Sequence, residues 1–371
     1  MAKSKGYFTN FRATPDMPLL KKFRRLIEKA GIRSMDLDGK FTAIKIHFGE
    51  PGNLAFLRSN YAKVVVDLLK EMGARPFLTD CNTLYVGSRR NALDHLEAAY
   101  QNGYSPFQTG CHVIIGDGLL GTDDVAVPVD GEFCQEALIG RAVMDAEAII
   151  SINHFKCHEG TGIGGALKNL GMGCGSTAGK RHMHHEGKPT VRPEMCVGCG
   201  RCVRQCAHGA LSFTEYNGKR VAKVDESKCA GCGRCVGVCR DRGAILGPDS
   251  SNDTLNCKIS EYAWAVIKDR PNFHITFVMD VSPFCDCHEE NDTPIIADVG
   301  MFASFDPVAL DKACADACNR MEPLPGTFLS DRNNRTGDIF NDTHPYTNWR
   351  VGVEHAAKMG VGSLEYELIE F

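Results

Sequence analysis

AIISINHFKCHEGTGIGGALKNLG, residues 148–171, decides how the chain is read. AIISI (148–152) is short, apolar and rich in β-branched residues, the pattern of a strand buried on both faces. A loop carrying His154, Lys156, Cys157 and His158 follows, with glycines at 160, 162, 164 and 165. Residues 164–170 then open a helix. Strand, ligand-rich loop and helix together predict one unit of a parallel α/β sheet.

The same rhythm extends on both sides. FTAIKIHF (41–48) reads as a strand ending at the turn cluster Gly49-Glu50-Pro51-Gly52. Residues 54–72 place Leu57, Tyr61, Val64, Val65, Leu68, Leu69 and Met72 at helical spacing, with Gly73 as the stop. PFLTD (76–80) and HVIIGD (112–117) are further strands, and 88–102 and 134–145 further helices. After a break at 188–248 the alternation resumes. It predicts helices at 252–268 and 307–320, strands at 273–281 and 294–298, a polar surface loop at 321–350, a helix at 351–358 and a final strand, LEYELIEF. Asp306-Pro307 reads as N-cap and first-turn proline. The expected fold is α/β, a parallel-sheet core with helices on both faces. Residues 1–187 and 249–371 form its two parts, and 188–248 are an insert. Open sheets of this kind bind ligands at the carboxyl ends of their strands. His47, Asp80 and the loop after Ile152 all stand at such ends.

The 371 residues carry a net charge of −4, with 24% charged residues, which points to neither nucleic acid nor membrane. No run approaches the roughly 18 apolar residues of a membrane span. MAKSKGYFTNFRATPDM lacks the apolar core of a secretory signal, so a cytoplasmic, reducing location is expected. There, 18 cysteines indicate metal or redox chemistry rather than disulfides, and an anaerobic host.

The insert concentrates eight of them. MCVGCGRCVRQC spaces Cys196, Cys199, Cys202 and Cys206 as C-x2-C-x2-C-x3-C, and KCAGCGRCVGVC repeats the run at Cys229, Cys232, Cys235 and Cys239. This is the two-cluster bacterial ferredoxin pattern, in which the fourth cysteine of each run ligates the other cluster. The reading is therefore a ferredoxin-like α+β domain with two [4Fe-4S] clusters. Cys196, Cys199, Cys202 and Cys239 hold one, and Cys229, Cys232, Cys235 and Cys206 the other. The proline usual after the fourth cysteine is replaced by Ala207 and Arg240, which alters a turn and removes no ligand. Residues 190–247 carry ten Lys and Arg against five Asp and Glu, in an otherwise acidic chain. Electrostatic docking on the acidic body, or on an acidic electron-transfer partner, is expected.

The loop at 154–185 offers two chemistries. Its glycines, Lys156, Lys168 and a helix N-terminus suit an anionic small molecule, without matching a nucleotide fingerprint. His154, Cys157, His158 and the histidines of HMHH (182–185) suit a further metal or organic cofactor, with Lys168 as nucleophile or base. Lys168, His158 and His184 are the candidate catalytic residues. Lys156, Gly164, Gly165, Asn169, Asp80 and His47 are the candidate cofactor contacts. FCDCH (284–288) adds Cys285, Cys287 and His288 as a soft-metal or third redox site. Cys314 and Cys318, flanked by alanines, read as packing.

AIKIHFGEPGN, FLTDCNTLYVGSRRNA, HFKCHEGTGIGGALKNLGMGC with GKRHMH, the double cysteine motif, EYAWAV, FCDC and DVGMFASFDPVALD together resemble the iron–sulfur members of the domain-of-unknown-function 362 family. They cover most of residues 40–318. The order His158, Gly164-Gly165, Lys168, His184 is also similar to the nickel-pincer lactate racemase family. That resemblance implies Lys168 as cofactor-attachment lysine, His158 as general acid/base and His184 as ligand or second base. The racemases lack a ferredoxin insert, and the histidine expected after an early strand falls near Asn82-Thr83 here. The leading expectation is a redox enzyme whose clusters exchange electrons with a substrate or cofactor held near His158 and Lys168. The alternatives are an electron carrier or maturation factor without turnover, and a racemase-like enzyme with a lysine-linked metal cofactor.

Overall fold

The computed structural model describes residues 3–184, 188–239, 241–247, 251–333 and 335–371. His185 and Arg240, singled out above, lie outside them. Eight strands form the central sheet: β1 (Ser4–Thr9), β2 (Phe41–Ile46), β3 (Arg75–Asp80), β4 (Val113–Ile115), β5 (Ala148–His154), β6 (Asn272–Val278), β7 (Gly300–Ser304) and β8 (Tyr366–Glu370). Their order is β8-β1-β7-β6-β5-β2-β3-β4. β7 runs antiparallel to both neighbours, β1 and β6, and every other pairing is parallel.

Both faces are covered. Helices α1 (Leu19–Lys29), α2 (Ser59–Glu71) and α3 (Ala92–Gln101) pack Phe23, Leu26, Val65 and Ala99 on the face that carries Ile44, Ile46 and Ile150. On the opposite face lie α4 (Ala166–Cys174), α5 (Thr177–His184), α6 (Ser251–Ile267), α7 (Pro307–Asn319) and α8 (Trp349–Lys358). They bury Leu170, Ile259, Tyr262, Cys314, Cys318 and Val353 against Ile149 and Phe302. Ile149 and Ile150 thus serve opposite cores, which is why AIISI reads as a continuous apolar run. α4 approaches α6 through Gly171, where a Cβ would stand 2.0 Å from the Ile259 carbonyl oxygen.

Three expectations are corrected. Residues 134–145 are not one helix: Glu136–Gly140 is a strand paired with Asp124–Pro128, and only Arg141–Asp145 is helical. Pairing with the other arm of a hairpin overrides helical spacing. At 294–298, Ile295 and Ile296 are buried, but Ile296 makes only an isolated bridge to Pro323, and the sheet strand is β7. Local hydrophobicity there marks burial rather than pairing. Residues 321–350 are not a surface loop, since Leu329, Phe340 and His344 are buried. Asp338 caps the short helix Ile339–Thr343, and Asp342 accepts hydrogen bonds from Thr336 (2.8 Å). The polar residues that suggested solvent instead satisfy backbone groups inside the fold.

Residues 190–246 build a small unit. Thr190–Val191 pairs with Ile245–Leu246, and Leu211–Tyr216 with Lys219–Val224. Cys202, Leu211, Ala222 and Ile245 form its own apolar cluster. Its contacts with the body include an ion pair between Arg234 and Glu290 (2.6 Å) and a hydrogen bond from Arg90 to the Ala207 carbonyl (3.3 Å). Among the described residues no helix is long and apolar enough to cross a membrane.

Candidate functional site

β3, β2, β5 and β6 are adjacent, and the residues that follow or end them converge on one cavity of about 600 Å3. That is the size of a small-molecule or cofactor site. Its wall includes His47, Asp80, His154, Lys156, His158, Gly164, Gly165, Lys168, Asn169, His184, Cys285 and Cys287. Gly231, Cys232, Gly233 and Arg234 of the second cysteine motif form another wall of the same space.

Beneath the cavity lies a buried charge network. Asp286, fully buried, takes Lys156 Nζ at 2.7 Å and His154 Nδ1 at 3.1 Å, with His47 Nδ1 at 3.7 Å. Burial works against its ionisation, but Lys156, His47 and His154 together hold the carboxyl well below its usual range. Arg89, 1% exposed, donates to Glu50 (2.8 Å), His47 Nε2 (2.7 Å), Tyr85 (3.0 Å) and the Cys287 carbonyl (2.9 Å). Lys45 joins Asp80 (3.0 Å) to Asn169 (2.6 Å). Asn169 also donates to the Lys45 and Ile152 carbonyls and to Asn153, so it clamps α4 to β2 and β5. These groups fix the strand ends as a rigid frame.

The upper wall is chemically freer. Lys168 Nζ stands 3.8 Å from Cys285 Sγ and makes no ion pair among the described residues. His158 Nδ1 accepts backbone N–H bonds from Gly160 (3.0 Å) and Thr161 (3.1 Å), leaving Nε2 as its other polar atom. His184 is pushed down to about 3 by burial, helped by the charges of His158 and Lys168, so it is neutral at physiological pH. One ligand atom each from His158, Cys285 and Cys287 lies within 4.8 Å of the others.

Several sequence assignments change. The N-terminus of α4 is not free for an anion: the N–H groups of Ala166 and Leu167 donate to Asp311 at 2.6 and 3.0 Å. Gly165 exists for that carboxylate, because a Cβ there would meet Asp311 Oδ1 at 2.3 Å. Cys157 does not join His154 and His158. It is buried in a core, and burial pushes its thiol up to about 12. His154 is tied at both ring nitrogens, to Asp286 and to the Met279 carbonyl (2.8 Å). His182 bonds the Tyr262 hydroxyl (2.9 Å). His288 pairs with Glu159 (3.0 Å), and His158 takes the place beside Cys285 and Cys287 that sequence adjacency gave to His288. Arg89, Glu50, Lys45 and Asp286 were not singled out. Their signal was position: Lys45, Glu50 and Asp286 lie within five residues of a strand's carboxyl end or inside FCDC, and Arg89 sits inside the quoted SRRNA.

In the insert, Cys196, Cys199, Cys202 and Cys239 surround one hollow. Burial pushes Cys235 up to about 12, and Cys232, Cys229, Cys202 and Cys206 add to that; Cys232 is raised by burial and by Cys229 and Cys206. Backbone N–H groups of Ala222, Ala210 and Gly231 donate to the sulfurs of Cys196, Cys206 and Cys229 at 3.3–3.4 Å.

Residues 42–316 match the family described as "Domain of unknown function (DUF362)". The chain belongs to this family. The DUF362 match takes in both cysteine motifs and nearly all of the cavity wall, from Lys45 to His288. No curated protein matches the chain. Among solved structures, a protein from Thermotoga maritima aligns at 15% identity and a TM-score of 0.41, over 81% of this chain and 58% of that one. The lactate racemase apoprotein from Thermoanaerobacterium thermosaccharolyticum aligns at 10% identity and a TM-score of 0.38, over 75% and 51%. The chain thus spans less than two thirds of the length of either.

Proposed function

We propose that this DUF362 protein is a cytoplasmic iron–sulfur redox enzyme. Its residues 188–248 form a ferredoxin-like unit with two [4Fe-4S] clusters, and its α/β body binds an anionic small molecule near Lys168. The observation that carries the reading is the shared cavity: Cys232 of the second quartet faces the same space as Lys168, His158 and His184. A cluster there stands within one cavity of the reacting group, so electrons need cross no protein layer.

Two further facts support the clusters. Cys239 lines the hollow of Cys196, Cys199 and Cys202, and Cys206 with Cys229 raises the thiol of Cys232, which fits the exchange that a two-cluster chain requires. Among the described residues, neither quartet brings three ligand atoms within 4.8 Å of one another. A single zinc, with Zn–S bonds near 2.3 Å, draws its sulfurs closer than that. When bound, the clusters supply one electron at a time. The residues of the chain do the rest. Lys168, free of any carboxylate among the described residues, attracts the anion and can pass it a proton, while Lys45, Lys156 and Arg89 are already paired and hold the frame. The basic insert suits an acidic electron-transfer protein as partner.

The test is stopped-flow reoxidation of the dithionite-reduced protein by a panel of small carboxylates. At least one should reoxidise the clusters with saturation kinetics. Lys168→Ala should abolish that reaction and leave the cluster absorption unchanged. Reoxidation unaffected in Lys168→Ala refutes the assignment of the site.

A further inference from the structure

Cys285 and Cys287 follow β6, and His158 ends the hairpin strand Lys156–His158 that follows β5. The two segments meet at the cavity wall, where one nitrogen and two sulfurs lie within 4.8 Å of one another. Both cysteines are buried, and neither is needed by the eight-cysteine insert. We infer that Cys285, Cys287 and His158 bind a single borderline-soft divalent metal ion of the zinc or iron(II) class, with its fourth position open to the cavity.

The donor set is right for such an ion: two thiolates and one imidazole at bond lengths of about 2.0–2.3 Å. Closing from the present separation requires small movements of three side chains and a turn of the Gly160–Thr161 backbone. The frame behind them is already fixed. Arg89 holds the Cys287 carbonyl at 2.9 Å, and Asp286, between the two cysteines, is locked by Lys156 and His154. Such supporting bonds preorganise ligands. At His158 the Gly160 and Thr161 N–H groups occupy Nδ1, so Nε2 is the ligating atom. Ligation takes the protons of the two thiols and moves the ring proton from Nε2 to Nδ1, so that His158 binds as a neutral imidazole. The Gly160 and Thr161 N–H groups turn away from the protonated Nδ1, and Lys168, 3.8 Å from Cys285 Sγ, offsets the negative charge of the site. Three protein ligands with one open position is the arrangement of a catalytic rather than a structural metal. The open position faces the cavity, where a carbonyl or carboxylate oxygen of the anionic substrate would bind and be polarised. The substrate role rests on the proposed redox function; the ion site itself stands on the three ligand atoms alone.

The experiment adds one equivalent of zinc(II) to the full-length, cluster-loaded protein and reads its ligands by zinc-edge X-ray absorption, which iron does not obscure. Affinity comes from chelator competition, and iron per chain is counted in the same samples. The expected result is one zinc per chain with two sulfur ligands and at least one nitrogen. His158→Gln, a change at a half-buried residue, should weaken binding by at least about tenfold. Cys285→Ser with Cys287→Ser should weaken it by more than about 100-fold, beyond what loss of a supporting group gives. Iron should be unchanged in all variants. No zinc uptake, four sulfur ligands, or wild-type affinity in both variants overturns the site. Zinc bound as expected in a protein that holds no iron leaves the metal site standing and defeats the redox reading instead.

Discussion

Asp286→Asn tests the frame under the cavity. The substitution keeps the side chain's shape and removes one charge. Lys156, 6% exposed, then holds a buried ammonium whose counter-charge at 2.7 Å is gone, and His154 and His47 lose the carboxylate that faces them. Removing one member of a buried ion pair typically costs about 3–5 kcal/mol, because the desolvation of the survivor is no longer offset. Asp286 serves three partners, so the loss belongs at the upper end of that range. Lys156→Met should be similarly damaging. The double variant, which buries no unpaired charge between these two groups, should regain most of the loss. The assay is urea unfolding under anaerobic conditions for all four proteins, followed by a signal from the body. The cycle predicts a coupling of several kcal/mol. A single Asp286→Asn variant within about 1 kcal/mol of wild type, or two single effects that simply add, refutes the view that this network fixes the strand ends.

Asp311 gives a pH signature. Burial raises its carboxyl to about 7, against the pull of the Leu167 and Ala166 N–H groups. A raised folded pKa means that the folded state holds the proton more tightly. The associated stability is complete below about pH 4 and is lost as pH rises through about 7. Wild type should therefore lose stability across that window, whereas Asp311→Asn should not; parallel pH profiles would contradict the assignment. Gly171→Ala forces a Cβ within 2.0 Å of the Ile259 carbonyl oxygen, so α4 must part from α6. Despite a gain in helix propensity of roughly 1 kcal/mol, thermal unfolding should show a net loss of about 1–3 kcal/mol. Cys199→Ala and Cys232→Ala should each spare the other quartet and lower iron by up to about four atoms, as read by iron analysis and electron paramagnetic resonance.

The parallel core was legible because β2 and β5 are short, apolar and rich in β-branched residues, β3 is short with an apolar centre, and each leads into a loop ended by a helix. β1, α1 and the hairpin at 124–140 were less legible. The pairing partners of β1 lie far along the chain, as Tyr7 opposite Ala303 illustrates, whereas in the hairpin apolar residues at helical spacing hide a strand that pairs locally. The cavity was legible in outline, since strand ends carry function in such sheets and His47, Asp80, Lys156 and Lys168 all line it. Its finer chemistry was not. Sequence adjacency grouped Cys157 with His158 and His288 with Cys287, whereas strand alternation sends Cys157 into the core and the hairpin brings His158 to the cysteine pair. The glycines before α4 signalled an acceptor for its N–H groups, and the acceptor is there: it is the carboxyl of Asp311, a residue of the chain itself, 145 positions downstream of Ala166.

Counting iron and acid-labile sulfide per chain in anaerobically purified protein is the most direct test of the central claim. The account predicts about eight of each, with the spectrum of two magnetically interacting clusters on reduction. A protein with no sulfide, or with zinc in place of iron at the eight cysteines, would contradict it.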